Sequence, residues 1–69
     1  MWTFDEHGNA NNGVDKAIFI QVELIERFDV FLYESIDDRI KVTPLAWYLL
    51  EDEARKYVHN YVAALEESE

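Results

Sequence analysis

The chain predicts an α+β fold: a small antiparallel β-meander of three to four strands, with one long C-terminal amphipathic helix packed on one face. Two observations carry this. Residues 17–35 alternate with a period of two and are rich in β-branched and aromatic side chains, as half-buried strands are. From Trp47 onward the apolar residues recur at helical spacing instead. At 69 residues there is room for one domain. A core this small rarely supplies more than ~3–5 kcal/mol, and without cysteine no disulfide or thiolate site adds to it.

The expected organisation is an N-terminal arm and loop over residues 1–15, a β-meander over 16–43, a helix over 44–66 and an acidic tail over 67–69. In the arm, Trp2 and Phe4 fall on one side of a short extended segment, suited to an edge strand or to a tuck beneath the helix. Asn12-Gly13 is the strongest turn signal, because both residues tolerate positive φ. From Ala17 to Ile25 the alternation predicts Ile18, Ile20, Val22 and Leu24 facing the core, with Phe19, Glu23 and Ile25 on the far side. From Phe28 to Ser35 it predicts Phe28, Val30 and Leu32 inward, and Asp29, Phe31, Tyr33 and Ser35 outward. A helical reading of 18–36 would ring the far side with Ile20, Leu24, Val30 and Phe31, so strands are preferred. Glu26-Arg27 lacks the Gly or Asn of a tight turn and predicts a looser loop, whereas Asp37-Asp38 suits a turn before a short strand with Ile40 and Val42.

The helix is expected to begin with Thr43 as N-cap and Pro44 in the first turn. Its stripe is Trp47, Leu50, Ala54, Tyr57, Val58, Tyr61, Val62 and Leu65, leaving Leu45, Tyr48 and Leu49 off the main face. A single helix covers one side of a sheet only, so the other side is expected to keep exposed apolar groups, which mark contact surfaces when clustered.

Charge is the unusual feature. Fifteen acids against six bases give −9. Such a field repels nucleic-acid phosphates and anionic lipid and attracts basic surfaces, although the same charge also serves solubility. No apolar run approaches the ~20 residues of a membrane span, and no basic-then-apolar leader is visible, so a cytoplasmic protein is expected.

Chemistry is sparse. No hydroxyl sits in a nucleophile turn, and two glycines cannot build a phosphate loop, so no enzyme activity, catalytic residue or cofactor is expected. Asp5, His7, Asn9, Asn11 and Asp15 alternate somewhat like a calcium loop, but Ala10 and Lys16 stand where an EF-hand needs Gly and Glu. No metal site is expected. Six singly scattered bases argue against direct nucleic-acid binding.

The acids do cluster, at Glu34/Asp37/Asp38 and at Glu51/Asp52/Glu53. With Glu23 and Asp29 they are expected to stand in for phosphates, and Phe31, Tyr33 and Tyr48 to supply aromatic anchors. The preferred reading is an inhibitor that blocks a basic, nucleic-acid-handling protein by nucleic-acid mimicry. In size and charge, though in no motif, the chain resembles small phage proteins that inhibit host defence, the anti-CRISPR type among them. The alternatives are a homodimeric regulatory module, or an immunity or antitoxin protein that works without mimicry.

Overall fold

The computed structural model describes residues 1–68. Five strands form one antiparallel meander in sequence order: β1 (Thr3–Phe4), β2 (Ala10–Asn11), β3 (Lys16–Gln21), β4 (Phe28–Ile36) and β5 (Arg39–Leu49). The helix α1 (Glu51–Glu67) follows and lies across one face. The α+β class holds, with more strands than the three to four expected. The additional ones come from the N-terminal arm, where β1 and β2 pair through Thr3–Asn11 and Phe4–Ala10.

Local chemistry explains the turns. Asn12 N–H bonds the Asp15 carbonyl at 3.1 Å, and the Asn12 side chain accepts the N–H groups of Val14 and Asp15, with Gly13 at φ 91° between them. Asp37 and Asp38 both carry positive φ, the signature of a primed hairpin turn, in a position where Asp tolerates the left-handed region. The β3–β4 connection is the looser loop foreseen at Glu26-Arg27, closed by Val22 N–H to the Arg27 carbonyl at 2.8 Å.

The core lies between sheet and helix. Ala10, Ala17, Val30 and Leu32 meet Ala54, Val58 and Val62, with Trp2, Phe19, Phe28, Leu45, Leu49 and Tyr57 packed around them. Alanines at the centre let the helix axis come close to the sheet, and the aromatics close the sides. Phe19 and Phe28 meet edge to face at 5.6 Å. Trp2 joins this packing, and Phe4 stacks on His59 with ring centroids 5.5 Å apart, so both aromatics of the arm lie on the helix side.

Three expectations are corrected. First, the helix begins at Glu51 rather than residue 44, and the meander does not end at 43. Thr43 and Pro44 lie inside β5. The β-branched run Ile40-Val42-Thr43 continues along β4, and β5 is an edge strand, where Pro44's missing N–H breaks no ladder bond. Trp47 and Leu50 therefore leave the core stripe, and Leu45 and Leu49 turn inward to the core instead of forming an outer helix patch with Tyr48. Leu50 is the extended N-cap, and the Glu53 carboxylate accepts its N–H at 3.0 Å.

Second, β3 shows the sheet's covered side its other face and is shorter. Pairing sets Ala17 against Leu32 and Phe19 against Val30 on the covered side, and Ile18 against Phe31 and Ile20 against Asp29 on the open side. Val22 and Leu24 lie beyond the strand in the loop, and Leu24 is 95% exposed. Phe19 and Ile25 are thus not on the open face. Third, the helix takes the first residue of the expected acidic tail. Glu67 ends α1, and Ser68 caps it, with its N–H on Ala64 and its hydroxyl on the Leu65 carbonyl. Glu69 lies outside the described residues.

β5 reaches its length through irregularity. Against Phe28, Val30 and Phe31 it sets Leu49, Ala46 and Pro44, so it bulges twice, with Tyr48 at φ 63° in the first bulge. Asp29 stabilises that bulge by accepting the Tyr48 N–H at 3.0 Å. The Tyr57 hydroxyl donates to the Leu45 carbonyl at 3.2 Å and ties the helix to β5.

Candidate functional site

The eleven residues expected to form one partner surface are divided by the fold. The β4–β5 turn and the helix N-terminus lie at opposite ends of the 11-residue β5, on the order of 30 Å apart at ~3.3 Å per residue. Asp37 and Asp38 are at one end, with Glu34 and Tyr33 nearby on β4. Glu51, Asp52 and Glu53 are at the other, together with Glu23, Asp29 and Tyr48. Phe31 lies between. The expectation that the two acidic clusters adjoin is corrected: nearness along the chain is undone by a strand that carries residues 39–49 the length of the molecule.

The two ends differ in field. At the turn end, Arg39 and Lys41 sit among Glu34, Asp37 and Asp38, and Lys41 is the cross-strand partner of Glu34. At the loop end, Glu23, Glu26, Glu51, Asp52 and Glu53 outnumber Arg27 and Arg55. Gln21, Glu26, Phe28, Leu50, Glu51 and Asp52 line an open groove of ≈ 510 Å³ there. Part of this charge is structural. Glu51 pairs with Arg55 at 3.2 Å, Glu53 accepts the Leu50 N–H, and carboxylates in a first helical turn offset the macrodipole. Glu23, Glu26 and Asp52 make no such bond among the described residues. Glu26 escaped the sequence reading because it sits in a loop, and only the fold brings it to the helix N-terminus.

A second surface is the open face of the sheet. Ile18, Ile20, Phe31, Tyr33, Val42 and Pro44 share it by register. Trp47, 64% exposed, lines a shallow apolar groove with Asp29, Phe31, Pro44 and Ala46. Phe31 and Tyr33 meet edge to face at 6.5 Å. Phe31 and Tyr33 were foreseen here. Ile18, Ile20 and Trp47 are additions to this face, since alternation and helical spacing predict all three in the core.

The N-terminal loop resolves into turn chemistry. The Asp5 carboxylate accepts N–H bonds from His7 at 2.8 Å and Asn9 at 3.1 Å. Desolvation pushes its pKa up, but these donors and the His7 charge together outweigh it and hold the group below its ordinary 3.8. The Asn9 side chain accepts the Phe19 N–H, and Asp15 accepts that of Ser35. These groups are already engaged by backbone, and among the described residues no cluster of three or more His, Asp or Glu side chains could hold a metal ion. Among the described residues no helix is long and apolar enough to cross a membrane.

Compared with known proteins, the chain matches no family model, no curated protein and no solved structure.

Proposed function

We propose that this protein is a small acidic inhibitor that binds a basic, nucleic-acid-handling protein and blocks the surface on which nucleic acid would lie. The observation that carries the reading is the loop end, where Glu26, Glu51 and Asp52 line an open groove with Phe28 and Leu50, while Glu23 belongs to the same β3–β4 loop and Glu53 to the same helical turn. A chain of charge −9 is steered toward a positive groove, and the carboxylates take the places of phosphates. Leu50, 49% exposed, and Tyr48, 65% exposed, supply the apolar anchors beside them. An immunity or antitoxin protein against a basic toxin would use the same contacts.

The test is affinity capture from host lysate at low and high salt, followed by competition. A basic partner is retained at low salt and released at high salt, and the chain displaces nucleic acid from it. The combined Glu26→Gln, Glu51→Gln and Asp52→Asn variant loses this competition, while Asp37→Asn with Asp38→Asn keeps most of it. A captured partner that holds its nucleic acid in the presence of the chain, or is displaced equally well by the loop-end variant, contradicts the proposal.

A further inference from the structure

The open face of the sheet is apolar on a chain that is otherwise strongly acidic. Across β3, β4 and β5 it presents Ile18, Ile20, Phe31, Tyr33, Val42 and Trp47, and its charged residues on β3 and β4 are one base, Lys16, and one acid, Asp29. Three strands ~4.8 Å apart and some eight residues long give a footprint of roughly 14 by 26 Å before side-chain corrugation. That is roughly 360 Å² of flat area, below the ~800 Å² per partner of a standard interface and in the range of weak, concentration-dependent pairs. A basic partner would gain nothing from charge here, because the face is balanced. A second copy would.

Lys16 pairs across the ladder with Tyr33, and Asp29 with Ile20, so the two charges stand at opposite ends of the face. Four strand residues separate their rows, roughly 13 Å. A two-fold axis parallel to the sheet, crossing the strands over the Ile18–Phe31 row, reverses the strand direction. It lays the Lys16 end of one copy over the Asp29 end of the other. We propose that the chain forms an isologous dimer through this face, a sandwich with Phe31 at its centre, Trp47 of each copy over the Tyr33–Val42 row of the other, and two reciprocal Lys16–Asp29 ion pairs at its ends. Sheets stacked ~10 Å apart accommodate such side chains. Asp29 binds the Tyr48 N–H through Oδ1, which leaves Oδ2 for the incoming ammonium group. The pairing also brings the turn-end acids of one copy to the loop end of the other. It does not depend on the inhibitor reading, and its salt response has the opposite sign: two copies of charge −9 repel, so added salt strengthens the dimer, whereas it weakens capture of a basic partner.

Sedimentation equilibrium of the full chain tests this. The wild type is expected to shift from 8.2 kDa when dilute toward twice that mass when concentrated. Phe31→Lys is expected to raise the dissociation constant by about 10-fold or more, the loss of a central anchor. Lys16→Asp and Asp29→Lys should each dimerise poorly alone, from like charges facing each other, yet pair with one another when mixed. Because Asp29→Lys also removes the acceptor of the Tyr48 N–H, the wild type provides a second measurement. Zero-length carbodiimide coupling of mixed light and ¹⁵N-labelled chains should give a Lys16–Asp29 peptide of mixed label, a link the ~13 Å spacing within one copy forbids. A mass of 8.2 kDa at every concentration, a mixture no better than either variant alone, or a cross-link found only within one copy overturns the proposal.

Discussion

The two faces of this sheet are built from similar residues and serve different ends. The covered face sets Ala17, Val30 and Leu32 beneath Ala54, Val58 and Val62, each nearly or wholly removed from water. The open face sets Ile18, Ile20, Phe31, Val42 and Trp47 on the same strands, and Ile20, Val42 and Trp47 are 44%, 47% and 64% exposed. Hydrophobicity does not separate these groups. The helix does, and the small side chains beneath it decide which face it can approach. A strand offering Ala on one side and Ile on the other accepts a close helix over the Ala. The bulky side is left to whatever partner can cover it.

Substitutions on the two faces should therefore differ sharply. The largest effect is expected from Val58→Ala, which removes two buried methyl groups at the centre of the helix–sheet contact and should lower stability by roughly 1.5–3 kcal/mol in urea unfolding. That is a large fraction of what so small a core supplies, and a loss below ~0.5 kcal/mol would mean that the helix does not rest there.

Gly8→Ala comes next. Gly8 has φ 93°, and an added Cβ would lie 2.7 Å from Cγ of Arg55. The arginine side chain can move aside, so the cost lies in the backbone, about 1 kcal/mol by the same assay. No loss would show that Gly8 does not hold a positive φ in the β1–β2 turn.

Ile20→Thr on the open face should change the stability of the dilute protein by less than ~0.5 kcal/mol, since the side chain is exposed and lies outside the core cluster. A loss comparable to that of Val58→Ala would mean that the open face is covered by the chain itself.

The smallest effect is a pH dependence. Burial pushes the Tyr61 hydroxyl above its ordinary 10.0, with Glu34 and Tyr57 adding to the shift. The folded state thus favours the neutral phenol. Its contribution is intact below pH 10 and is lost as pH rises through the raised folded value, because the unfolded chain ionises first. Tyr61→Phe should flatten the stability-versus-pH curve above pH 10, and an unchanged slope would show that the fold does not shield the Tyr61 hydroxyl from water.

The division between faces also explains what the sequence could and could not convey. The α+β class, the Asn12-Gly13 and Asp37-Asp38 turns, the inward face of β4 and the helix from Ala54 onward were legible, since each rests on local period or turn chemistry. The helix start was not. Thr43-Pro44 is a good cap in isolation, but the same two residues suit an edge strand, and pairing with β4 over residues 39–49 outweighs a first helical turn. The orientation of β3 was hidden because Ala-Ile-Phe-Ile is apolar on both sides, so alternation alone does not say which side is covered. The acidic clusters were legible as composition and misleading as geometry. Their placement depended on where β5 ended, seven residues later than the cap signal implied.

The measurement that meets the central claim most directly is acrylamide quenching of Trp47 fluorescence in a Trp2→Phe variant at low protein concentration. Trp47 on the open face, 64% exposed, should be quenched nearly as readily as a free indole, and more readily than Trp2 in the reciprocal Trp47→Phe variant. A Trp47 shielded as well as Trp2 in dilute solution would place it under the helix stripe after all, and the separation of a covered from an open face would fail.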